Sequence, residues 1–237
     1  WMGRDKFYAY TGRVETLDST LTLHVFNNIS YTQSDQVISG TNEQWNEIWW
    51  FYPTADSDYN NAYVVYNHVD KIWFYGTIDR TAWLDTPLRT YPQATNTPVS
   101  DEGATVGSGY LYNHESGTDD DTLPIDSYIQ SSDFDIGDGD NFMLTRRMIP
   151  DVSFDGSSAA TPEATLTIRP RNFPGSTFSA DPADTQRVIE TSVGVYTDQV
   201  FMRARARQMA FKIRSIDLGV QWQLGAPRLD VRQDGSR

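Results

Sequence analysis

Four closely spaced aspartates form the one candidate metal site in this 237-residue chain. Asp133, Asp135, Asp138 and Asp140 lie in a turn-forming segment, and carboxylate oxygens are the ligands that Ca²⁺ prefers. The segment departs from an EF-hand loop, because Asp138 stands at the sixth position, where the loop needs glycine, and Leu144 stands at the twelfth, where it needs a bidentate glutamate. We expect an acidic, solvated turn, with a structural Ca²⁺ as the alternative, and we predict no other cofactor.

Three arginines near the C-terminal end, Arg203, Arg205 and Arg207, alternate with alanines. Side chains two residues apart lie on one face of a β-strand, so the pattern predicts a row of guanidinium groups. Such a row can contact phosphates, or it can pair with carboxylates of a neighbouring strand or subunit. We favour carboxylates and predict a subunit or adaptor contact. The alternation must break near 206–208, because Met209 would otherwise share the charged face.

The other titratable residues give no recognisable catalytic pattern. His24, His68 and His114 lie far apart, and the last two occupy matching positions in a repeat, which favours a shared structural role. Glu43 and Glu47 could form the carboxylate pair of a glycosidase. Such pairs occur by chance in a chain with 32 Asp and Glu residues, so we predict that the protein is not an enzyme.

Charge is divided unevenly along the chain. Residues 1–140 contain 6 Lys and Arg against 22 Asp and Glu, a net charge of −16, whereas residues 141–237 contain 13 against 10, a net charge of +3. An acidic half repels nucleic acid. The absence of cysteine excludes disulfides and thiolate metal sites. No apolar run approaches the ~18 residues of a membrane-spanning segment.

An aromatic strand that ends in a tight turn occurs three times, and it positions His68 and His114 at its turns. The repeat occupies residues 7–12, 63–68 and 110–114. It aligns Tyr10, Tyr66 and Tyr112. Strand repeats of roughly 40–50 residues are typical of β-propeller blades, in which each sheet packs against its neighbours. We predict a propeller-blade region over 1–120.

Strand signals dominate elsewhere and helical periodicity is almost absent, so we predict an all-β fold. The aromatic run 49–52 indicates a strand buried on both faces. After about residue 120 arginine replaces aromatics, and we expect a second unit over 121–237, either β-sandwich-like or a closing antiparallel sheet. The predicted strands are 6–10, 20–27, 35–39, 45–52, 62–67, 71–77, 109–113, 126–131, 141–149, 163–170, 186–192, 198–206, 208–215, 218–224 and 228–232.

The tryptophans of the first half allow two interpretations. They could stack on sugar rings, or they could fill the core of the predicted blades. We favour the core, because two of them lie inside strand-like runs. The five residues concerned are Trp45, Trp49, Trp50, Trp73 and Trp83.

Seven segments, in order along nearly the whole chain, share features of one protein family. They are 1–12, 46–53, 63–67, 79–83, 114–119, 132–140 and 224–232, and the second reads Asn46-Glu47-Ile48-Trp49-Trp50-Phe51-Tyr52-Pro53. Together they resemble the C-terminal part of the tail nozzle proteins of short-tailed bacteriophages, which are also called head stabilization or tail hub proteins. The loops 92–109 and 172–184 lie outside the resemblance. Family members are usually longer, so we expect this chain to be a C-terminal part of a larger protein.

The resemblance implies a non-enzymatic virion component, located in the tail and assembled in the cytoplasm of the bacterial host. Such nozzles form a ring, typically a homohexamer, beneath the portal and adaptor proteins. They carry a propeller-like domain, enclose the channel through which the genome leaves, and dock fibres or a needle. The DNA would pass without specific binding, along a lumen to which the acidic residues of 1–140 contribute. The alternative is a carbohydrate-binding or glycan-hydrolysing β protein that acts as a receptor-binding tail component.

Overall fold

A computed structural model of the chain describes residues 1–97, 109–173 and 188–235. These residues fold mainly into antiparallel β-sheets, which confirms the all-β prediction. No sheet within the described ranges closes on itself. The chain divides into two compact units, Trp1–Ser116 and Gly117–Arg237.

The described residues of the first unit form nine short strands and little helix. Its helical segments are α1 (Thr22–Phe26) and two 3₁₀ helices, Tyr31–Gln36 and Glu43–Trp45. Its strands are β1 (Phe7–Tyr10), β2 (Val14–Leu17), β3 (Ile38–Asn42), β4 (Glu47–Tyr52), β5 (Ala62–Asn67), β6 (Ile72–Thr77), β7 (Ala82–Leu84), β8 (Gln93–Thr95) and β9 (Leu111–Asn113). They form three antiparallel sheets in chain order, β1-β2, β3-β4-β5-β6 and β7-β8-β9.

The middle sheet of the first unit is covered on both faces, because β4 carries four consecutive large aromatic residues. Successive side chains of a strand point to opposite faces. Trp50 contacts Phe7 of the first sheet, with ring centroids 5.2 Å apart. Trp49 stacks on Trp83 of the third sheet at 5.4 Å. The prediction of a strand buried on both faces is confirmed, and the three sheets pack one on the next.

The β5–β6 hairpin is set by the polar residue that ends its first strand. The Asn67 side chain accepts hydrogen bonds from the backbone N–H groups of Val69 and Asp70, and Lys71 adopts a left-handed φ of 58°. An asparagine that bonds to the backbone two residues ahead is a common way to form a tight turn. The turn therefore returns the chain in the register that pairs Tyr66 with Trp73.

One strand prediction in the first unit is wrong, and another is correct only in part. Residues 20–27 form α1 rather than a strand, because Leu21, Val25 and Phe26 all reach the core from one side of a helical turn. The predicted strand 35–39 is shifted: residues 35 and 36 end the 3₁₀ segment Tyr31–Gln36, and residues 38 and 39 begin β3.

In the second unit, residues 117–173 and 188–235 form twelve strands. They are β10 (Asp119–Asp120), β11 (Leu123–Pro124), β12 (Ser127–Gln130), β13 (Phe134–Asp135), β14 (Met143–Ile149), β15 (Val152–Ser153), β16 (Glu163–Arg171), β17 (Ile189–Gly194), β18 (Val200–Ala206), β19 (Gln208–Ser215), β20 (Gln223–Leu224) and β21 (Arg228–Gln233). The predicted strand 218–224 is too long, because only the two residues of β20 form a strand there.

Two sheets of the second unit share one hydrophobic core. The larger sheet has the order β12-β19-β16-β17, with β13 also paired to β19, and the smaller has the order β18-β14-β21. Their inner faces meet in one cluster, to which the smaller sheet contributes Met143 and Ala204 and the larger contributes Leu166 and Ile213. The chain passes from one sheet to the other between β18 and β19, at Arg207.

The described residues contain no helix that is long and apolar enough to cross a membrane. Most of the loops 92–109 and 172–184, together with the start of the predicted strand 186–192, lies outside the described residues.

Candidate functional site

The arginine row lies on the outer face of the smaller sheet of the second unit. In β18 the side chains of Arg203 and Arg205 are exposed, whereas Ala204 and Ala206 between them are buried. The predicted alternation is therefore confirmed. The predicted break is confirmed as well, because β18 ends at Ala206 and β19, in the other sheet, begins at Gln208.

Two of the three arginines make contacts within the chain. The Arg205 guanidinium donates to the Asp234 carboxylate at 2.5 Å and lies 4.0 Å from the centre of the Phe142 ring. Arg207 lies 5.0 Å from the same ring and donates to the backbone carbonyls of Gly139 and Asp140. Both guanidinium groups thus help to hold the end of β21 and the acidic turn against the sheet.

Arg203 lies beside two arginines that the sequence reasoning missed. The pairing of β14 with both neighbouring strands shifts register between Thr145 and Arg147, which is a β-bulge. A bulge places two residues against one on the partner strand, so Arg146 and Arg147 are both exposed instead of alternating. The missed signal was this pair of adjacent charged residues inside a strand-like run.

These arginines line a shallow cleft of about 580 Å³, here called the arginine cleft. Its walls also include Leu144, Phe201 and Asp230. Phe201 is 75% exposed, and the Asp230 carboxylate lies 3.7 Å from the Arg232 guanidinium of its own strand. Within the described ranges, neither Arg146 nor Arg203 forms an ion pair. The cleft therefore combines excess positive charge with exposed apolar surface.

The acidic turn does not gather its four carboxylates. Asp133 accepts a hydrogen bond from the Arg171 guanidinium at 2.6 Å, and Asp135 accepts one from the Gln208 amide at 3.1 Å. Asp138 is exposed, and the Asp140 N–H closes the turn onto the Gly137 carbonyl. Within the described residues, no three Asp, Glu or His side chains are placed to hold a metal ion. The arrangement therefore ties the turn to the larger sheet.

The tryptophans of the first unit lie mostly in the core, as the favoured interpretation predicts. Trp49 and Trp50 are buried, and Trp73 and Trp83 are partly buried in the aromatic stacks. Trp45 differs, because 51% of its surface is exposed.

The environment of Trp45 brings together groups from distant parts of the first unit. Its indole N–H donates to Glu115 at 3.1 Å, and the other oxygen of that carboxylate accepts from Asn42. Burial raises the pKa of the nearby Glu47, although a hydrogen bond from Trp49 opposes this, and the negative charge of Glu115 raises it further. The acidic neighbour of Glu47 is thus Glu115, whereas the sequence reasoning had paired it with Glu43.

The two histidines at matching repeat positions share a backbone role. The N–H of His68 donates to the carbonyl of Asn46, and the N–H of His114 donates to the carbonyl of Pro92, in each case next to the start of the preceding strand. Their side chains differ. His68 is exposed, whereas His114 Nε2 accepts a hydrogen bond from the Arg80 guanidinium at 2.8 Å.

The His114 imidazole is held in its neutral form. Its ring packs against Trp83, with centroids 4.7 Å apart. Burial, and then the positive charge of Arg80, lower the pKa of His114 to about 4. At neutral pH the imidazole therefore acts as a hydrogen-bond acceptor that helps to position Arg80.

No protein-family model matches the chain, and no curated protein matches it. The resemblance to tail nozzle proteins remains a prediction from seven sequence segments.

Proposed function

We propose that the chain is a structural virion protein that forms the ring-shaped nozzle of a short phage tail. The ring, a homohexamer, lies beneath the portal and adaptor ring and docks tail fibres or a needle. It assembles in the cytoplasm of the bacterial host and encloses the channel for genome ejection. The protein has no catalytic role.

The observation that carries the proposal is the packing of three successive antiparallel sheets in the first unit. A four-stranded sheet covered on both faces by neighbouring sheets is the arrangement of a blade within a β-propeller. Gly40 of β3 supports this interpretation, because a Cβ at that position would lie 2.1 Å from the Trp83 ring of the next sheet. We infer that the four-stranded sheet is one blade, that the two-stranded and three-stranded sheets beside it are partial blades, and that the two sheets of the second unit form a β-sandwich.

The charge distribution supports passage of DNA without binding. Each Lys or Arg contact with phosphate adds salt-dependent affinity, so a channel for DNA needs few cations on its wall. Residues 1–140 have a net charge of −16 and suit such a wall. The arginine row then serves subunit or adaptor contacts, and Arg203 is its best-placed member because Arg205 and Arg207 have partners inside the chain.

Native mass spectrometry of the purified chain tests this proposal. We expect one dominant species at six times the chain mass, which persists on dilution to the low micromolar range. A labelled DNA duplex should bind the ring only weakly at physiological salt. A chain that stays monomeric at all concentrations would contradict the proposal.

Trp45 favours a second candidate function, binding of carbohydrate by a receptor-binding tail component. An exposed indole beside the carboxylates of Glu115 and Glu47 could stack on a sugar ring and bond to its hydroxyls. A glycan array tests this candidate. Binding that is lost in Trp45→Ala and kept in Trp1→Ala, a change at another half-exposed tryptophan, would establish it.

A further inference from the structure

The arginine cleft has a shape and charge that suit an acidic segment with some apolar surface. Arg146, Arg147 and Arg203 supply three guanidinium groups, and Asp230 already lies near Arg232. Phe201 and Leu144 supply apolar surface on the same face. An unpaired guanidinium at an interface gains most from carboxylates, which it can bind with two parallel hydrogen bonds.

The second unit also presents an acidic hairpin, formed by β10 and β11. Asp121 and Thr122, with φ of 45° and 74°, form its two-residue turn. Within the described part of the chain, the carboxylates of Asp120 and Asp121 accept no hydrogen bond and pair with no cation. Leu123, just after the turn, is 64% exposed. The hairpin thus has unpaired negative charge beside an exposed apolar side chain.

The hairpin is anchored at its base. The Asp119 carboxylate accepts a hydrogen bond from the Gly219 N–H at 2.5 Å, and the Thr118 hydroxyl lies 3.4 Å from that of Ser158. A segment that is already ordered loses less conformational entropy when it binds. The hairpin is therefore built to present its carboxylates rather than to fold back on its own unit.

We propose that the acidic hairpin of one copy docks in the arginine cleft of the next copy. Asp120 and Asp121 pair with Arg146 and Arg203, and Leu123 packs against the apolar part of the cleft. Because the two surfaces differ, the contact is heterologous, and it generates the proposed ring when the rotation between successive copies closes after six of them. The inference rests on the proposed ring and adds the two surfaces that join its subunits.

A second copy fits the cleft better than a nucleic acid does. Outside the cleft most of the chain is acidic, with a net charge of −13 overall, and long-range repulsion would weaken a DNA complex. The hairpin, in contrast, combines local negative charge with Leu123, which matches the exposed Phe201. Both surfaces are present on every copy, so no further component is needed.

Two complementary variants test the contact. The cleft variant carries Arg146→Glu and Arg203→Glu. The hairpin variant carries Asp120→Lys and Asp121→Asn, the asparagine being chosen because it tolerates a left-handed φ. Loss of one close charge pair at a protein interface raises the dissociation constant by at least a factor of roughly 10. Each variant removes two such pairs, so it should weaken self-association by at least about 100-fold.

Matched controls change the same number of charges elsewhere. Arg13→Glu with Arg89→Glu reproduces the charge change of the cleft variant on the first unit. Asp217→Lys with Asp58→Asn reproduces that of the hairpin variant at exposed positions. Sedimentation velocity over a range of concentrations gives the assembly state, and thermal unfolding shows that every variant folds.

The inference expects rings for the wild type and both controls, and monomers for both variants. An equimolar mixture of the two variants should restore an even-numbered ring, because each changed surface then meets its complement. Rings that persist in both variants would overturn the proposed contact, whereas the proposal that the protein forms a ring would stand. A wild type that is monomeric would overturn the contact and the ring together. Labelled duplex DNA that binds the wild type but not the cleft variant would assign the cleft to nucleic acid and overturn the proposal.

Discussion

Replacing Gly40 with alanine tests whether the third sheet of the first unit packs on the middle sheet. A Cβ at this position would lie 2.1 Å, 2.5 Å and 2.9 Å from three atoms of Trp83. Carbon atoms in contact lie about 3.5–4.0 Å apart, so the indole would have to move by more than ~1 Å. The ring cannot do so without losing its own contacts.

The cost of that movement can be worked out from those contacts. The Trp83 N–H donates to the Thr41 carbonyl at 2.8 Å, a hydrogen bond that contributes about 1 kcal/mol. Its stacking on Trp49 contributes about 0.5–1.5 kcal/mol more. With the strain of overpacking, we expect Gly40→Ala to lower the free energy of unfolding of the first unit by about 2–3 kcal/mol. The midpoint temperature should fall by roughly 10–15 °C for a unit of this size.

Urea unfolding followed by tryptophan fluorescence measures this effect, because six of the seven tryptophans lie in the first unit. Gly194→Ala, in β17 of the second unit, is the general control for replacing a strand glycine by alanine. Its Cβ would meet its nearest neighbour at an ordinary 3.5 Å, and the change should leave the transition of the first unit where it is in the wild type. In a Trp83→Leu background the cost of Gly40→Ala should fall below about 1 kcal/mol, because the obstructing ring is gone. If Gly40→Ala is as stable as the wild type and Gly194→Ala, the two sheets do not pack as described.

Two further predictions concern charged groups. Because the pKa of His114 falls from 6.5 in the unfolded chain to about 4 in the folded state, the unfolded chain binds a proton more readily between these pH values. Acidification through this range should therefore lower the free energy of unfolding by about 2 kcal/mol through His114. Comparison of the wild type with His114→Gln separates this effect from those of Glu47 and Asp79, whose raised pKa values stabilise the folded state on acidification. Asp133→Asn removes the negative charge that pairs with the mostly buried Arg171 guanidinium, so it should lower the free energy of unfolding of the second unit by about 2 kcal/mol. Asp126→Asn, at a more exposed pair with Arg214, should cost less than about 1 kcal/mol, and equal losses in urea unfolding would contradict this reasoning.

Local patterns predict strands well where aromatic and β-branched residues form runs between clear turn signals. The predicted strands 62–67 and 208–215 coincide with β5 and β19. The pattern fails at 20–27, where alternating Thr and Leu resemble a strand but packing against Phe7 and Trp50 favours a helical turn. In the first unit it also misses β2, β7 and β8, which are short and depend on a partner strand.

The candidate site could be predicted only in part, for a similar reason. The alternation of β18 fixes which face Arg203 and Arg205 share. The sequence does not show that Asp234 and Phe142 lie beside Arg205, because that contact depends on the register of β14 with β18 and β21. The proximity of Glu47 and Glu115 is likewise a product of strand pairing between distant segments.

Single-particle electron microscopy of the purified chain tests the central claim most directly. We predict closed rings of six copies, with a bore lined mainly by carboxylates of residues 1–140 and with the arginine cleft buried between neighbouring subunits. Isolated monomers would contradict the account, and so would a ring whose bore is lined by Arg146, Arg147 and Arg203.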